Sequence, residues 1–181
     1  MNRKKSDRGV VERGPSFRDV VMDFYLQNPI NNPYSLTLTM KQGYEVRTPK
    51  GSEWIKLDGI KSSTNLRHFR NRLNKKIFGN TYTRFNKQIG MFSVMENDTN
   101  HRFHLHLIIE KPSWFSEEQF KYLVWSCWNK TKFGYHQIQM DQLPQTDEKY
   151  WLRYLTKKRT KDDLWFSIDW ENCTNFQTSM S

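Results

Sequence analysis

Two histidines separated by one leucine are the residues of this chain whose type and spacing most clearly suggest chemistry. His104-Leu105-His106 lies within residues 102–110, a run of β-branched, aromatic and aliphatic residues that predicts a strand. Because side chains alternate between the two faces of a strand, His104 and His106 project from the same face. Two neighbouring imidazoles can bind a divalent metal, while two histidines on a solvated strand face explain this segment alone equally well.

An acidic residue at the end of the preceding strand-like run strengthens the metal interpretation. Residues 89–96 end at Glu96, and residues 97–100 are turn formers, so the two runs predict a β-hairpin. Cross-strand neighbours lie roughly 5 Å apart, which places Glu96 near His104. A carboxylate with two imidazoles leaves coordination positions open, as Mg²⁺ or Mn²⁺ chemistry on phosphates requires. The alternative is that Glu96 is simply a polar residue at a strand end.

A third segment supplies a candidate nucleophile. Residues 146–148 have the composition of a helix start, and a helix through Lys157 places Tyr150, Tyr154 and Lys157 on one face. A tyrosine hydroxyl becomes a useful nucleophile when its anion is stabilised, and a nearby ammonium does this. Taken alone, the segment is explained better by tyrosines packed on a core and a lysine in solvent.

In this order, the segments resemble the HUH endonuclease superfamily, and within it the rolling-circle replication initiators, the Rep proteins. The family's apolar-Thr strand corresponds to residues 35–41, its His-hydrophobic-His motif to His104-Leu105-His106, and its Tyr-x-x-Lys motif to Tyr154-Leu155-Thr156-Lys157. The resemblance implies that His104, His106 and Glu96 bind Mg²⁺ or Mn²⁺. It also implies that Tyr154 attacks a DNA phosphate and becomes linked to the 5′ end.

The position of the tyrosine motif separates the subfamilies. Conjugative relaxases carry their tyrosines before the histidines, whereas here the tyrosine follows them, which favours Rep proteins or related transposases. The tandem Tyr150-x-x-Arg153-Tyr154-x-x-Lys157 resembles the two-tyrosine initiators of some phages, with Arg153 where a lysine is usual. Tyr154 is the expected nucleophile, Lys157 stabilises its charge, and Tyr150 is a second candidate nucleophile or a structural residue.

The charge of the chain agrees with a nucleic-acid partner. The 181 residues carry a formal net charge of +10, and aromatic residues are 15% of the total. Cations can follow a phosphate backbone while aromatic rings stack on unpaired bases, although basic surfaces and aromatic cores are also common without such a partner. A basic helix over residues 66–78, capped at 63–65, is a candidate DNA-facing element. The expected DNA contacts are Arg67, Arg70, Lys75, Arg153 and Lys158.

The order of predicted elements indicates an α+β fold with a central antiparallel β-sheet flanked by helices, as in a ferredoxin-like or HUH nuclease-type sandwich. We expect a flexible basic arm over residues 1–15, one nicking domain over 16–171 and a flexible tail over 172–181. A helix is predicted over 16–27, a first central strand over 34–41, and a small hairpin within 42–60. Further along come a helix over 116–129, a strand over 135–140 and an edge strand over 164–170.

Missing motifs narrow the expected setting. The sequence has no P-loop motif, so a separate helicase is the expected partner of a small complete initiator. Cys127 and Cys173 lack metal-ligand spacing and predict neither a zinc site nor a disulfide framework. No apolar run can span a bilayer and no secretory signal is visible, so we expect no membrane partner and a cytoplasmic protein of a bacterium, an archaeon or an infected cell.

The function that follows is nicking and joining of single-stranded origin DNA, with a hairpin origin expected, by metal-dependent tyrosine transesterification that initiates and terminates rolling-circle replication of a plasmid, phage or virus. One alternative is a transposase or relaxase of the same superfamily, which would share the chemistry and differ in its DNA. The other is a non-catalytic nucleic-acid-binding domain.

Overall fold

Strand-forming and helix-forming segments alternate along the chain and build an antiparallel sheet with helices on both faces. The structure of the chain is a computed structural model, and it describes residues 14–97, 102–144, 146–157 and 167–174. The predicted arm and Lys158 therefore lie outside the described residues, apart from residues 14 and 15. The predicted α+β class, with a central antiparallel sheet flanked by helices, is confirmed.

The described strands are β1 Pro33–Met40, β2 Gly43–Thr48, β3 Gly51–Lys56, β4 Met91–Glu96, β5 His104–Glu110 and β6 Gly134–Gln142. Four of them form the central sheet in the order β4-β5-β1-β6, and every neighbouring pair is antiparallel. The histidine strand β5 is therefore an inner strand, next to the threonine strand β1. The predicted small hairpin is formed by β2 and β3, which pair separately from the central sheet.

The described residues form five α-helices, which connect and cover these strands. Ser16 caps the first and Ser116 the fourth, and both form capping boxes that satisfy the first backbone N–H groups. Both helices were predicted from these residues. The helix bounds are α1 Phe17–Gln27, α2 Gly59–Phe78, α3 Asn80–Phe85, α4 Glu117–Trp128 and α5 Glu148–Leu155. Among the described helices, none combines the length and apolarity needed to cross a bilayer.

The basic helix begins earlier than predicted. The predicted cap at residues 63–65 is wrong, because Asp58 caps the helix by accepting from the Lys61 backbone N–H at 2.8 Å. Ser63 and Asn65 are used instead for tertiary contacts, with Asp169 and Thr131 respectively. The predicted end is confirmed, because Gly79 adopts a φ of 56° that suits glycine and terminates α2.

The end of the described chain differs from the prediction. Of the predicted edge strand over 164–170, only residues 167–170 are described, and they contain an isolated bridge from Ile168 to Val94 rather than a strand. A 3-10 turn, Trp170–Asn172, follows. The predicted loose tail is wrong for residues 172–174, since Asn172 is fully buried and Thr174 bridges to Met91, and the rest of the tail lies outside the described residues.

Two hydrophobic cores lie on opposite faces of the sheet. On one face, α2 and α4 pack Leu66, Phe69 and Trp128 against the odd-numbered residues of β5, such as Leu105. On the other face, α1 and α5 pack Val21 and Leu152 against even-numbered residues such as Ile108. Because His104 and His106 share the parity of Ile108, they lie on the α1–α5 face.

Candidate active site

The pairing register of three strands gathers the polar residues of the α1–α5 face. Glu96 of β4 pairs with His104 of β5, as the hairpin prediction required. On the other side of β5, Thr37 of β1 pairs with His106. Directly paired residues of antiparallel strands point to the same face of the sheet. The register therefore places the Glu96 carboxylate, the two imidazoles and the Thr37 hydroxyl in a single polar patch, with Thr39 paired to His104 beside them.

Glu96 joins this patch to the end of the tyrosine helix. Its Oε2 lies 2.9 Å from His106 Nε2, and its Oε1 lies 3.4 Å from the Lys157 ammonium. Both side chains of the His106–Glu96 pair are about nine-tenths buried, with 9% and 11% of their surface exposed. Partial removal from water strengthens the electrostatic interactions among these groups. Glu96 thus connects two segments that are about fifty residues apart in sequence.

Thr37 orients the His106 ring from the opposite side. Its Oγ1 lies 3.1 Å from His106 Nδ1, so both ring nitrogens of His106 have partners. A neutral ring that donates from Nε2 to Glu96 accepts from the Thr37 hydroxyl at Nδ1. If Nε2 instead holds a metal, Nδ1–H can donate to the same hydroxyl oxygen, since a hydroxyl both donates and accepts. Thr37 therefore supports either form of the ring.

Helix α5 lays an aromatic pair against His106. The Trp151 and Tyr154 rings stack with centroids 5.1 Å apart. His106 meets both rings edge to face, at centroid distances of 6.3 Å from Trp151 and 5.7 Å from Tyr154. Such arrangements are favourable for aromatic pairs. Tyr154 nevertheless keeps 42% of its surface exposed, so a ligand can reach it.

Lys157 lies beside Tyr154, although α5 ends at Leu155 with Thr156 as its C-cap and does not continue through Lys157 as predicted. Its ammonium lies 4.1 Å from the centroid of the Tyr154 ring, which is a cation–π contact, and also contacts Glu96. A positive charge held at this place stabilises negative charge that develops on a phenol oxygen or on a phosphate nearby. Lys157 has the position that a charge-stabilising residue needs.

Helix α1 fixes the last turn of α5 and therefore the position of Tyr154. Arg18 Nη2 donates to the Arg153 carbonyl at 2.8 Å, and its Nε donates to Thr156 Oγ1 at 3.1 Å. Thr156 is fully buried and donates to the Leu152 carbonyl at 2.7 Å. A cation at a helix C-terminus also interacts favourably with the unpaired carbonyls there. Arg18 thus holds the segment that carries both Tyr154 and Lys157.

Two potential ligand atoms of the patch, one carboxylate oxygen and one imidazole nitrogen, have the spacing of adjacent ligands around a hard divalent ion. Adjacent ligands of an octahedral ion lie about 3 Å apart when each metal–ligand distance is about 2.1 Å. Glu96 Oε2 and His106 Nε2 have this separation, at 2.9 Å. The His104 ring lies nearly parallel to that of His106, with centroids 6.2 Å apart. Among the described residues, no three or more His, Cys, Asp or Glu side chains are grouped so that they could hold a metal ion together, so a third ligand such as His104 would have to move to complete the site.

The predicted second tyrosine and the predicted DNA contacts lie in different places. Tyr150, one turn before Tyr154, is 69% exposed. The Arg153 side chain is exposed on α5, while its carbonyl is held by Arg18. Arg67 and Lys75 are exposed on α2, on the opposite side of the sheet from Tyr154.

Arg70 has a structural environment that the sequence did not indicate. Its Nη1 donates to the Glu171 carbonyl at 2.9 Å, and burial lowers the pKa of its guanidinium. Its Nε is buried without a hydrogen-bond partner among the described residues. This side chain anchors the C-terminal segment to α2, so a phosphate contact from Arg70 would require that anchor to open.

Three residues that contact or position the site were not predicted from the sequence as site residues: Thr37, Trp151 and Arg18. Thr37 lies in the strand that carries the first motif, and its pairing with His106 becomes visible only when the register is known. Trp151 follows Tyr150 in sequence, but its contact with His106 depends on how α5 is rotated. Arg18 comes from a distant helix, and no spacing in the sequence relates it to Thr156.

Comparison with known proteins gave no match: neither a family model, nor a curated protein, nor a solved structure resembles this chain closely enough to be reported.

Proposed function

We propose that this protein nicks and rejoins single-stranded DNA by tyrosine transesterification with a divalent metal, and that it acts as a rolling-circle replication initiator. The observation that supports this most strongly is the convergence of Tyr154, Lys157, Glu96 and His106. These residues come from three separate elements and lie on one sheet face. The Tyr154 ring contacts both His106 and the Lys157 ammonium, and the Glu96 carboxylate contacts both Lys157 and His106.

In the proposed reaction, the phenol oxygen of Tyr154 attacks the phosphorus of a phosphodiester. A bond from tyrosine oxygen to phosphorus forms and the bond to the 3′ oxygen breaks. The 3′ oxygen leaves as a hydroxyl after gaining a proton, and the phenol proton passes to solvent or to a nearby base. The product is a 5′ phosphotyrosine and a free 3′ end. The reverse attack by a 3′ hydroxyl rejoins the strand, because the number of phosphoester bonds is conserved.

Each residue of the patch has a part in this reaction. Lys157 stabilises negative charge on the phenol oxygen or the phosphate. Thr37 and Glu96 hold the His106 ring in one orientation. Arg18 and Trp151 keep Tyr154 at a fixed position relative to the sheet, which favours an in-line attack. Mg²⁺ or Mn²⁺, held by Glu96, His104 and His106, would polarise the scissile phosphate.

The same proposal includes the partners. The substrate is a single strand of origin DNA, expected next to a hairpin, and a helicase partner unwinds the duplex. The proposed setting is the cytoplasm of a bacterium, an archaeon or an infected cell. A transposase with the same chemistry would differ in the DNA that it selects.

A pool of random single-stranded oligonucleotides tests the chemistry and selects the cleaved sequence in the same experiment. The protein is incubated with the pool and Mn²⁺, denatured in detergent and separated from unlinked DNA, and the attached strands are sequenced. We expect a covalent adduct whose strands share a sequence at the attached 5′ end, and no adduct in EDTA. Reversible binding without any adduct would instead support the non-catalytic nucleic-acid-binding domain.

A further inference from the structure

A concave surface lies between α2, α4, the loop that joins α4 to β6 and the β2–β3 hairpin, on the face of the sheet opposite Tyr154. It consists of two cavities of about 370 and 410 Å³. His68, Arg72 and Lys130 line both cavities, so the two adjoin, and together we call them the basic groove. None of the residues of the proposed active site lines either cavity.

The charge of the basic groove has one sign. No acidic side chain lines either cavity. Lys61 is paired with Asp58, but among the described residues no ion pair with a carboxylate is formed by the other five cations. Several cations held together without counter-charges attract a polyanion. The cations of the groove are Lys61, Arg72, Lys75, Lys76, Lys130 and Lys132.

The cations are arranged along a line. Lys61, Arg72 and Lys76 lie on α2, and Lys61 and Lys76 are fifteen positions apart on this helix. With a rise of 1.5 Å per residue, this stretch of helix is about 22 Å long. Duplex DNA advances 3.4 Å per base pair, so this stretch spans roughly six to seven base-pair steps. Lys61 at one end is paired with Asp58. The other end holds Arg72, Lys75 and Lys76, which form no ion pair among the described residues, and a phosphate backbone would meet the highest charge there.

The aromatic residues of the groove do not offer stacking surfaces. Phe133 is only 4% exposed, and its ring meets that of Tyr44 edge to face at a centroid distance of 4.9 Å. The Lys132 ammonium lies 5.9 Å from the centroid of the Tyr44 ring. Sites for single strands combine cations with exposed aromatic rings on which bases stack. In the groove Phe133 is buried, Tyr44 is partly buried and only the small His68 ring is exposed, so its cations suit a backbone whose bases are already paired better than a run of stacked bases.

From these observations we propose that the basic groove binds the phosphate backbone of duplex DNA, independently of sequence, as a second nucleic-acid site behind the sheet. The site would hold a paired segment while a single strand reaches Tyr154 on the other face. Duplex binding in the groove does not depend on the chemistry at Tyr154. The groove also changes which of the predicted α2 residues are expected to contact DNA. Lys75 lines the groove, whereas Arg67 and Arg70 line neither cavity.

Fluorescence anisotropy with a labelled duplex of arbitrary sequence tests this proposal. The groove variant carries Arg72→Gln, Lys76→Gln and Lys130→Gln, three exposed positions at which glutamine disturbs no packing. The matched control carries Arg47→Gln, Lys50→Gln and Lys56→Gln on the β2–β3 hairpin, which are exposed and line neither cavity. Both variants lose three positive charges, so long-range attraction falls equally in the two.

The salt dependence of duplex binding distinguishes the two variants. Each lost phosphate contact flattens the slope of log affinity against log salt by about 0.9. Raising salt fourfold should therefore weaken duplex binding by the wild type and the control about 40-fold more than binding by the groove variant, if all three contacts are lost. Equal slopes and affinities for the groove variant and the control would overturn the proposal.

Two further arms separate this site from the one at Tyr154. Binding of a single strand with the sequence of one duplex strand should weaken no more in the groove variant than in the control. If single-strand binding weakened more in the groove variant than in the control, the assignment of the groove to duplex DNA would be overturned. The groove variant should still form the adduct on short single strands. The Tyr154→Phe variant should bind duplex like the wild type. The two results therefore distinguish failure of the groove proposal from failure of the proposed nicking activity.

Discussion

The two faces of the central sheet carry different kinds of residue, although the same strands supply both. On the face covered by α2 and α4, β1 and β5 present only apolar side chains, such as Leu36, Leu38 and Leu105. On the face covered by α1 and α5, the alternate positions of the same strands present Thr37, His104 and His106. One face therefore supplies much of the packing free energy, and the other can carry polar groups.

The comparison explains how a small domain accommodates buried polar groups. Unpartnered polar atoms in the interior cost free energy, so they must be hydrogen-bonded to one another. The Thr37, His106 and Glu96 side chains satisfy this requirement mutually, and Lys157 completes the set from α5. The charged groups on the far side are instead placed outside the apolar layer, where α2 exposes them to solvent.

The largest effect is expected from loss of the proposed nucleophile. Tyr154→Phe keeps the ring that stacks on Trp151 and removes only the hydroxyl, so adduct formation should fall below detection while single-strand binding changes little. Denaturing gels of the protein with the selected oligonucleotide measure the adduct. Tyr150→Phe is the matched control and should retain activity. If Tyr154→Phe still forms the adduct and Tyr150→Phe does not, the roles of the two tyrosines are reversed.

Loss of His106 should have the next largest effect. His106→Ala removes a proposed metal ligand together with the contacts to Thr37, Glu96 and Tyr154, so metal-dependent cleavage should fall by about 100-fold or more. His104→Ala should also reduce cleavage, and calorimetric titration with Mn²⁺ measures binding directly. Unchanged Mn²⁺ binding when both histidines are replaced would contradict the metal site while leaving the roles of Tyr154 and Lys157 open to test.

The residue between the histidines should behave in the opposite way. Leu105 is fully buried against the α2–α4 core, so Leu105→Ala should lower the free energy of unfolding by about 2–5 kcal/mol. Denaturant titration measures this loss. The fraction that remains folded should keep Mn²⁺ binding. His104→Ala, next to it on the other face, should change the free energy of unfolding much less, and a larger loss there would contradict the division between the faces.

The features of the site that follow from side-chain alternation in strands and from the order of the motifs could be predicted from the sequence. Period-two alternation in β5 was enough to place His104 and His106 on one face, and the turn formers after Glu96 were enough to place that residue opposite His104. The motif order predicted that Tyr154 and Lys157 would come near them, and the contacts with His106 and Glu96 have this arrangement.

Contacts that depend on how elements pack were not predictable. Arg70 has the same type and helix spacing as an exposed cation, yet it turns to the Glu171 carbonyl because the C-terminal segment packs on α2. Lys130 and Lys132 are close in sequence to α4, and only the packing of α4 beside α2 brings them to Arg72. The local signals that favour Ser63 as a cap were outweighed by Asp58 and by the contact of Ser63 with Asp169.

The hydroxyl that supports His106 should have a moderate effect. Thr37→Val keeps the shape of the side chain and removes its hydrogen bond to Nδ1, so cleavage or metal affinity should fall by about 10- to 100-fold. Thr39→Val is the matched control, because Thr39 lies two residues along the same strand face and makes no side-chain hydrogen bond among the described residues. Equal rates for the two variants would show that Thr37 does not position His106.

The smallest effect concerns a buried carboxylate at the edge of the sheet, where the two faces meet. Asp169 accepts from Ser63 of α2 and from Asn172, and its backbone N–H donates to the Ser93 carbonyl of β4. Burial raises the pKa of this carboxyl despite those bonds. The folded state therefore holds the proton more tightly than the unfolded state. The resulting stability is present below the unfolded pKa of about 3.9 and is lost as pH rises through the raised folded pKa.

Asp169→Asn removes this titration while keeping the size of the side chain. The difference in unfolding free energy between wild type and variant should therefore decline from about pH 4 upward and level off above the raised pKa. Denaturant titrations of both proteins across this range measure it, and the change should be smaller than the loss from Leu105→Ala. A difference that stays constant with pH would mean that the Asp169 carboxyl titrates alike in the folded and unfolded chains. The contact between α2 and the C-terminal segment would then be maintained without any contribution from that proton.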